Sequence, residues 1–397
     1  MNCNFDKFLD VLLNEGMHPT RAKEMVKQVR QDMVAWPEIY ADEKKVFWAV
    51  ERGFLPGRIM LYGDDFNEET YKNYYPDYEY FMAHPMNNHF IFWINDKLTL
   101  KYMLNTPGLS QYMPEYYLYI ENDGHYSYLM DSPVNVGKDE NYLFNLLVEK
   151  KHLALKPNRG SGGRGFFGLK YDKGKIYQNN KEISRSEFDD LLPTLNGYIV
   201  TEFIEQSKKI DNVFSEADCA LRIVLYKKKQ KCFFDASNYG CIIAYARFGS
   251  SRSAGASNLC HGGLAVRINY DKGVFEGGFR GNYEFWGRDG VKGFEKHPDT
   301  GAVVDGNEVP NWDKIKDGLV KICNYLSSLD YFGMDVIITE DSFKICEINS
   351  APGMGVGQFH QGKCSLDNDD AREFAASKRR PSKKTFLECF TECIEEE

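Results

Sequence analysis

A short glycine-rich segment offers the clearest chemistry in this sequence of 397 residues. Residues 160–165 include four glycines, and Lys156 and Arg164 add positive charge beside and within the segment. Glycine has no Cβ to keep backbone N–H groups away from an anion, and it tolerates the positive φ values of anion-binding loops. The segment lacks the Lys-Ser or Lys-Thr that closes a Walker loop, and no helix follows it as in a dinucleotide fingerprint. It predicts either a phosphate-binding hairpin tip or a flexible connection without a ligand.

A second candidate site lies near the C-terminus, where polar residues interrupt two apolar runs. Asp335 lies within the run 332–338, and Glu347 and Asn349 end the run 343–349. Because Glu347 and Asn349 are two residues apart, both side chains project from the same face of a strand. Carboxylate and amide oxygens suit Mg²⁺, which often bridges substrate phosphates. The three residues predict a magnesium site; the alternative is a set of solvent-facing polar residues on edge strands.

The neighbouring sequence predicts the elements that position these residues. Apolar, β-prone residues at 152–155 and 166–171 predict a hairpin with the glycine-rich segment at its tip. Further strands are predicted at 197–205, which ends in acidic residues, and around Arg222, whose neighbours are apolar. A helix is predicted over 97–104. Because hairpins pair their strands antiparallel, the pattern favours an α+β fold.

Two other segments have a distinctive composition. After helical patterns, the N-terminal region becomes tyrosine-rich, which predicts either a partly buried aromatic layer or a sugar-stacking surface. The segment 245–258 is rich in small residues and includes Arg247. It predicts a mobile lid that brings an arginine to an anionic group, or else a plain flexible connection.

Composition narrows the classes of function. The net charge of −9 and the pI near 5.5 argue against nonspecific nucleic-acid binding. The sequence predicts no signal peptide and no transmembrane segment. Ten cysteines without a paired Cys-x-x-Cys motif indicate reduced thiols and a cytoplasmic protein.

The order of the candidate residues resembles that of the ATP-grasp superfamily. A lysine at a helix start (Lys97) precedes a Lys-Pro strand with its glycine-rich loop, and a Glu-Phe-Ile-Glu segment follows at 202–205. A strand arginine (Arg222) and an Asp…Glu-x-Asn hairpin complete the order.

Within that superfamily, the chain is similar to the sugar-transfer-associated ATP-grasp group, which is linked to cell-surface polysaccharide synthesis. The segments that carry this similarity are Asn-Leu-Cys-His-Gly-Gly at 258–263, His-Pro-Asp-Thr-Gly at 297–301, and the residues at 305–312.

The resemblance implies an α+β ATP-grasp fold in which two subdomains hold ATP between antiparallel sheets, with a helical N-terminal extension. The expected divisions are a helical and tyrosine-rich region that could contribute to the acceptor site (1–95), a subdomain with the phosphate loop (96–205), a subdomain with the metal site (206–360), and a C-terminal helical tail (361–397).

The resemblance also implies an ATP- and Mg²⁺-dependent ligase that converts a carboxylate into an acyl phosphate and joins it to an amine. The expected substrates are small-molecule or sugar-linked carboxylates and amines, and a membrane-linked substrate is compatible with a chain that lacks a transmembrane segment. The implied nucleotide-binding residues are Lys97, Lys156, Gly160, Ser161, Gly162, Gly163, Gly165, Glu202, Phe203, Ile204 and Glu205. The implied catalytic residues are Arg222, Arg247 and Asn258, and the implied metal ligands are Asp335, Glu347 and Asn349.

Two other functions use the same residues. A kinase of this fold would transfer the γ-phosphoryl group to a sugar or another hydroxyl acceptor, and it needs the same nucleotide and metal contacts. A noncatalytic nucleotide-binding scaffold would not need the metal ligands, whereas Asp335, Glu347 and Asn349 are all present.

Overall fold

The structure is a computed structural model, and it describes residues 2–395 except 161, 230–237, 254, 362–365 and 367. The strands are β1 (Asn2–Cys3), β2 (Tyr116–Ile120), β3 (Tyr126–Tyr128), β4 (His152–Pro157), β5 (Phe167–Asp172), β6 (Lys175–Gln178), β7 (Lys181–Ile183), β8 (Tyr198–Glu202), β9 (Ala220–Lys227), β10 (Tyr239–Phe248), β11 (Leu264–Asn269), β12 (Val274–Gly281), β13 (Tyr331–Ile338), β14 (Phe343–Asn349) and β15 (Ile394–Glu395).

The α-helices are α1 (Phe5–Asn14), α2 (Pro19–Ala35), α3 (Pro37–Tyr40), α4 (Glu43–Glu51), α5 (Arg58–Tyr62), α6 (Asp77–Ala83), α7 (Ile91–Asn95), α8 (Lys97–Leu104), α9 (Tyr142–Lys150), α10 (Arg185–Leu191), α11 (Lys208–Asp211), α12 (Tyr283–Lys292), α13 (Trp312–Tyr325), α14 (Gly355–Gln361), α15 (Asp369–Lys378) and α16 (Phe386–Thr391). Short 3-10 helices are Gly63–Asp65, Tyr71–Asn73, Asn88–Phe90, Ser110–Tyr112, Leu192–Thr194 and Leu259–His261.

Two antiparallel sheets form the centre of the molecule. Over the described residues, one has seven strands in the order β3–β2–β8–β4–β5–β6–β7, and the other has six in the order β12–β11–β10–β9–β13–β14. β4 and β5 pair antiparallel, so residues 160–165 do lie between the strands of a hairpin. β13 and β14 form the second predicted hairpin. The predicted α+β class, with antiparallel sheets, is confirmed.

Side chains alternate between the two faces along each strand, so that one face of each sheet packs against its own layer of helices. In the seven-stranded sheet, Leu153 and Leu155 of β4 pack in a cluster with Leu146 of α9 and Phe188 of α10. In the six-stranded sheet, the buried face packs against α13 and α8. Period-two burial of apolar residues accounts for this layering.

The N-terminal region covers part of the opposite face of the six-stranded sheet. Val224 and Tyr226 of β9 belong to the same buried cluster as residues of α1, α2, α4 and α6. The tyrosines form a buried layer rather than an open surface, apart from the half-buried Tyr71. Tyr80 donates to the carbonyl of Pro352 over 2.8 Å, which joins this layer to the chain just after β14. The buried members are Tyr74, Tyr75, Tyr78 and Tyr80.

The chain ends meet on the same helical layer. β1 pairs with β15, and the ring of Phe390 in α16 packs edge-on against Phe8 of α1 at 6.2 Å. The eight cysteines in the described part of the chain are free thiols. Among the described helices, none combines the length and apolar character needed to cross a membrane.

We expect Phe390→Ala to lower the free energy of unfolding by about 3–5 kcal/mol, since it opens a cavity where a fully buried ring joins both chain ends. Phe92→Ala is the control, because Phe92 is 70 % exposed and its loss should change stability little. Urea denaturation of both variants measures the difference. Equal stability of the two would show that the terminal helices do not pack as described.

Candidate functional site

A row of polar residues crosses the six-stranded sheet on one face. Residues paired directly across neighbouring antiparallel strands project to the same side, so the strand register fixes which side chains lie together. These residues occupy paired positions on neighbouring strands. They interrupt the apolar pattern of the positions before and after them along the strands. From β14 to β12 the row consists of Glu347, Asp335, Arg222, Tyr245, Arg267 and Glu276.

Asp335 is the buried centre of this row, and two arginines bind it. The Arg222 guanidinium makes two hydrogen bonds to the carboxylate, and Arg247 Nη2 lies 2.9 Å from Asp335 Oδ2. Burial alone would raise the pKa of Asp335, but Arg222 and Arg247 outweigh it and hold the pKa well below its usual range. Arg247 Nη1 also donates to Asn258 Oδ1 over 2.7 Å. The three predicted catalytic residues therefore form one network around Asp335.

The predicted metal ligands lie at the β14 end of the row. Asp335 faces Glu347 across β13 and β14, and Asn349 Nδ2 donates to Glu347 Oε1 over 3.2 Å. Two hydrogen bonds from Arg222 and an ion pair with Arg247 occupy much of the Asp335 carboxylate, so Glu347 and Asn349 have more capacity for a cation. Among the described residues, no three His, Cys, Asp or Glu side chains cluster as a metal site. The donors fit Mg²⁺, which needs only one or two protein carboxylates when phosphates supply the rest.

Lys97 joins β14 to the glycine-rich loop. It is the first residue of α8, whose N-cap Asp96 accepts a hydrogen bond from the Thr99 backbone over 2.9 Å. Lys97 Nζ donates to the carbonyl of Gly160 over 3.3 Å and lies 3.7 Å from Glu347 Oε2. The helix start therefore places one buried cation between the two candidate sites.

A second cation, Lys156, comes from β4 of the other sheet. Its Nζ lies 5.7 Å from the centre of the Tyr116 ring. Burial lowers the pKa of Lys156, and so does the neighbouring Lys97, whereas Cys346 and Glu347 raise it. A bound phosphate would favour the charged form of Lys156 and relieve its repulsion from Lys97.

The glycine-rich loop needs glycine at specific positions. Gly165 has a φ of +79°, and a Cβ there would lie 2.8 Å from the Tyr198 hydroxyl and 2.9 Å from Pro157. Gly163 has a φ of +73°, and its Cβ would lie 3.1 Å from Asn258 Nδ2. The predicted Ser161 lies outside the described residues.

The predicted adenine and ribose segment follows β8. Glu202 Oε2 accepts a hydrogen bond from the Glu115 backbone over 3.0 Å and lies 3.6 Å from Lys344 Nζ. The Phe203 ring stacks on His152 at 3.5 Å, and Ile204 is buried. Glu205 Oε1 lies 2.8 Å from His152 Nδ1, which lowers the pKa of Glu205.

Three residues in this region were absent from the sequence-based predictions. His152 and Lys344 belong to predicted strands, but their contacts with residues 202–205 depend on distant chain segments. Asp218 precedes β9 and makes no hydrogen bond in the described structure; burial raises its pKa to about 7, with further repulsion from Glu205 and Asp211. The sequence feature that could have indicated burial of Asp218 is its small and apolar neighbours, Ala217 and Cys219.

The segment 245–258, apart from residue 254, which lies outside the described residues, begins within a strand and continues in a hydrogen-bonded turn. Arg247 lies in β10 rather than in a loop. Beyond the strand, the Ser250 backbone donates to Ser253 Oγ over 2.8 Å, and both serines are buried. The small residues here allow close packing.

Sequence comparison decides the family. The family described as sugar-transfer associated ATP-grasp matches residues 79–369, which is most of the chain. The chain belongs to this family. The resemblance inferred from the motifs is confirmed, whereas no curated protein sequence matches the chain.

This ATP-grasp protein is also similar to solved structures at low identity. D-alanine–D-alanine ligase from Bacillus anthracis is 14 % identical over 76 % of this chain and 67 % of its own, with a TM-score of 0.34. N5-carboxyaminoimidazole ribonucleotide synthetase from Thermotoga maritima is 12 % identical over 74 % and 51 %, with a TM-score of 0.34. Biotin carboxylase from Campylobacter jejuni is 9 % identical over 74 % and 48 %, with a TM-score of 0.37. The chain spans about half the length of the last two.

For this ATP-grasp protein, we predict that Asp218 makes the wild type less stable as the pH rises. Its folded pKa of about 7 exceeds the ordinary aspartate pKa of 3.8, so the folded state binds more protons between these two values. The Asp218→Asn variant should therefore gain roughly 2–4 kcal/mol relative to wild type between pH 4.5 and pH 8. Urea unfolding of the ligand-free proteins at both pH values measures this gain, and a constant difference would contradict it.

Proposed function

We propose that this protein is an ATP- and Mg²⁺-dependent ligase that activates a carboxylate as an acyl phosphate and joins it to an amine. The observation that carries this proposal is the position of Lys97, whose ammonium group contacts both the glycine-rich loop and Glu347. Lys97 thus brings together the loop, from the β4–β5 hairpin of the seven-stranded sheet, and Glu347, from β14 of the six-stranded sheet. With the half-buried Lys156 nearby, this set of cations, glycine-rich backbone and oxygen donors suits a nucleoside triphosphate with its metal.

The nucleotide would extend from the end of β8 to the metal ligands. We assign the adenine edge to Glu202 and the backbone of Phe203 and Ile204, and the ribose hydroxyls to Glu205. Lys97 and Lys156 would neutralise phosphate charge, and the loop residues Gly160, Ser161, Gly162, Gly163 and Gly165 would contact the phosphates. In this assignment, residues 96–205 and 206–360 are the two subdomains that bind ATP.

Mg²⁺, when bound, would neutralise the phosphate oxygens and align them for in-line transfer. Glu347 and Asn349 would hold it, together with Asp335. The protein's own part is to present these oxygens on adjacent strands, with a cation beside them.

Arg222 and Arg247 would bind the acid substrate as it reacts. A substrate carboxylate oxygen would attack the γ-phosphorus, forming an O–P bond as the bond to ADP breaks. The amine would then attack the acyl carbon, forming a C–N bond as phosphate leaves and the amine loses a proton. We assign Arg222 to the developing oxyanion and Arg247, with Asn258, to the substrate carboxylate or phosphate, because preorganised donors stabilise such charge in a buried site.

The family supports a class of substrate for this proposal. Membership of the sugar-transfer associated ATP-grasp family supports a sugar acid or amino acid used in cell-surface polysaccharide synthesis. We place the reaction in the cytoplasm, where ATP is available and free thiols such as those of this chain are stable.

A product assay tests the proposal. The protein is mixed with ATP, Mg²⁺, a panel of sugar acids and amino acids, and hydroxylamine, and ADP, free phosphate and hydroxamate are followed together. We expect all three products with one acid of the panel. A phosphorylated acceptor without free phosphate would instead identify a kinase.

Glu347→Gln should reduce turnover by on the order of 100-fold or more, because the amide cannot replace the charge of the metal-binding carboxylate. The control is Glu182→Gln, an exposed residue that pairs with Lys175 in the β6–β7 hairpin, far from the candidate site in the sheet order. Its turnover should match the wild type. Full turnover of Glu347→Gln with unchanged Mg²⁺ dependence would exclude Glu347 as a metal ligand.

A further inference from the structure

Two segments that mark the family have no part in the proposed chemistry beyond Asn258. They are residues 258–263 and 297–301, and neither supplies a nucleotide or metal ligand in the assignment above. Their contacts give them a shared role at the glycine-rich loop.

His261 contacts the glycine-rich loop directly. Its Nε2 lies 2.9 Å from the carbonyl oxygen of Gly162. Because a carbonyl only accepts, Nε2 carries the hydrogen and donates. Asn258 lies beside the next loop residue, since a Cβ on Gly163 would be 3.1 Å from Asn258 Nδ2. Both ends of the 3-10 helix region 258–261 therefore touch the loop.

Hydrogen bonds stabilise the turn after His261. Gly262 has a φ of +97°, and its carbonyl accepts hydrogen bonds from Ser250 Oγ over 2.8 Å and from Trp286 Nε1 over 2.9 Å. The Gly263 backbone donates to Asn258 O over 3.1 Å. A Cβ on Gly263 would lie 2.4 Å from the carbonyl oxygen of Ser257, so only glycine fits this turn.

The second family segment fixes the support for this turn. Asp299 accepts from the Ser251 backbone over 2.8 Å and from its hydroxyl over 2.6 Å. His297 is buried, and its Nε2 donates to the carbonyl of Gly249 over 2.9 Å while its ring stacks on Phe214. These bonds fix residues 249–251, from which Ser250 binds Gly262.

Residues 258–263 are also connected to Asp335, at the centre of the polar row. Arg247 binds Asn258 through Nη1 and Asp335 through Nη2. Polar contacts thus run from Asp335 through Arg247 to Asn258, which lies beside Gly163 of the loop.

We propose that His261 is a positioning residue for the glycine-rich loop: its imidazole holds the Gly162 carbonyl, and the Arg247–Asn258 contact sets the loop's place relative to Asp335. The effect on nucleotide use rests on the proposed function, whereas the effect on the loop does not. The competing explanation is that His261 only stabilises its own turn.

Limited trypsin digestion of the ligand-free full chain tests the contact, because Arg159 and Arg164 place two cleavage sites at the loop. The matched variants are His261→Gln, which can still donate to Gly162, and His261→Met, which has a similar size and cannot. Cleavage after Arg164 should be about fivefold faster in His261→Met than in His261→Gln, since proteolysis follows the open population and one hydrogen bond changes it by about that factor. Cleavage after Lys181 and Arg185, outside the loop, should not differ.

The control is His125→Ala, because the His125 side chain is 82 % exposed and lies in a surface turn. It should be cleaved like the wild type. Equal cleavage after Arg164 in His261→Met and His261→Gln would overturn the proposal, and so would faster cleavage at all sites, which indicates a purely structural role.

A kinetic measurement separates this proposal from the ligase assignment. With an acid that supports turnover, His261→Met should raise the KM for ATP about fivefold relative to His261→Gln and leave the KM for the acid unchanged. Absence of turnover with every acid in all forms, including wild type, would count against the ligase assignment, while the trypsin result would still decide the role of His261.

Discussion

The structure depends on the neutralisation of one buried carboxylate. Asp335 is 4 % exposed, and an isolated charge at such a depth costs several kcal/mol. Arg222 and Arg247, from the two strands next in order, supply the compensating charge. This requirement constrains the register of β13, β9 and β10, because a shift of one residue would turn the arginines to the opposite, apolar face. The same register places Glu347 beside Asp335 on β14.

A second constraint is the division of one sheet face between two environments. The N-terminal helices and the tyrosine layer pack on the apolar part of this face of the six-stranded sheet, and Tyr245 of the polar row belongs to the same buried cluster. Tyr80, through its bond to Pro352, ties this cover to the chain that leaves β14. The N-terminal region therefore packs beside the polar row, and its buried tyrosines do not form an open sugar-binding surface.

Local patterns predicted much of this arrangement. Runs of apolar, β-prone residues predicted the hairpins of β4–β5 and β13–β14, and Lys97 was correctly placed at the start of α8. Such local patterns could not predict the contacts between these elements. That Asp335 is shared by two arginines, that His152 stacks on Phe203, and that His261 reaches Gly162 all depend on residues distant in sequence. Arg247 was expected beside a lid, but the small residues that follow it pack closely and hydrogen-bond to one another.

The transfer of oxygen from the acid to phosphate tests the central claim most directly. The acid identified by the product assay would be labelled with ¹⁸O in its carboxyl group, and the phosphate released in the presence of the amine would be analysed by mass spectrometry. An acyl phosphate intermediate predicts one ¹⁸O atom in each phosphate, because the attacking carboxylate oxygen leaves with the phosphoryl group. Unlabelled phosphate, or label retained entirely in the product, would contradict activation of the carboxylate at this site.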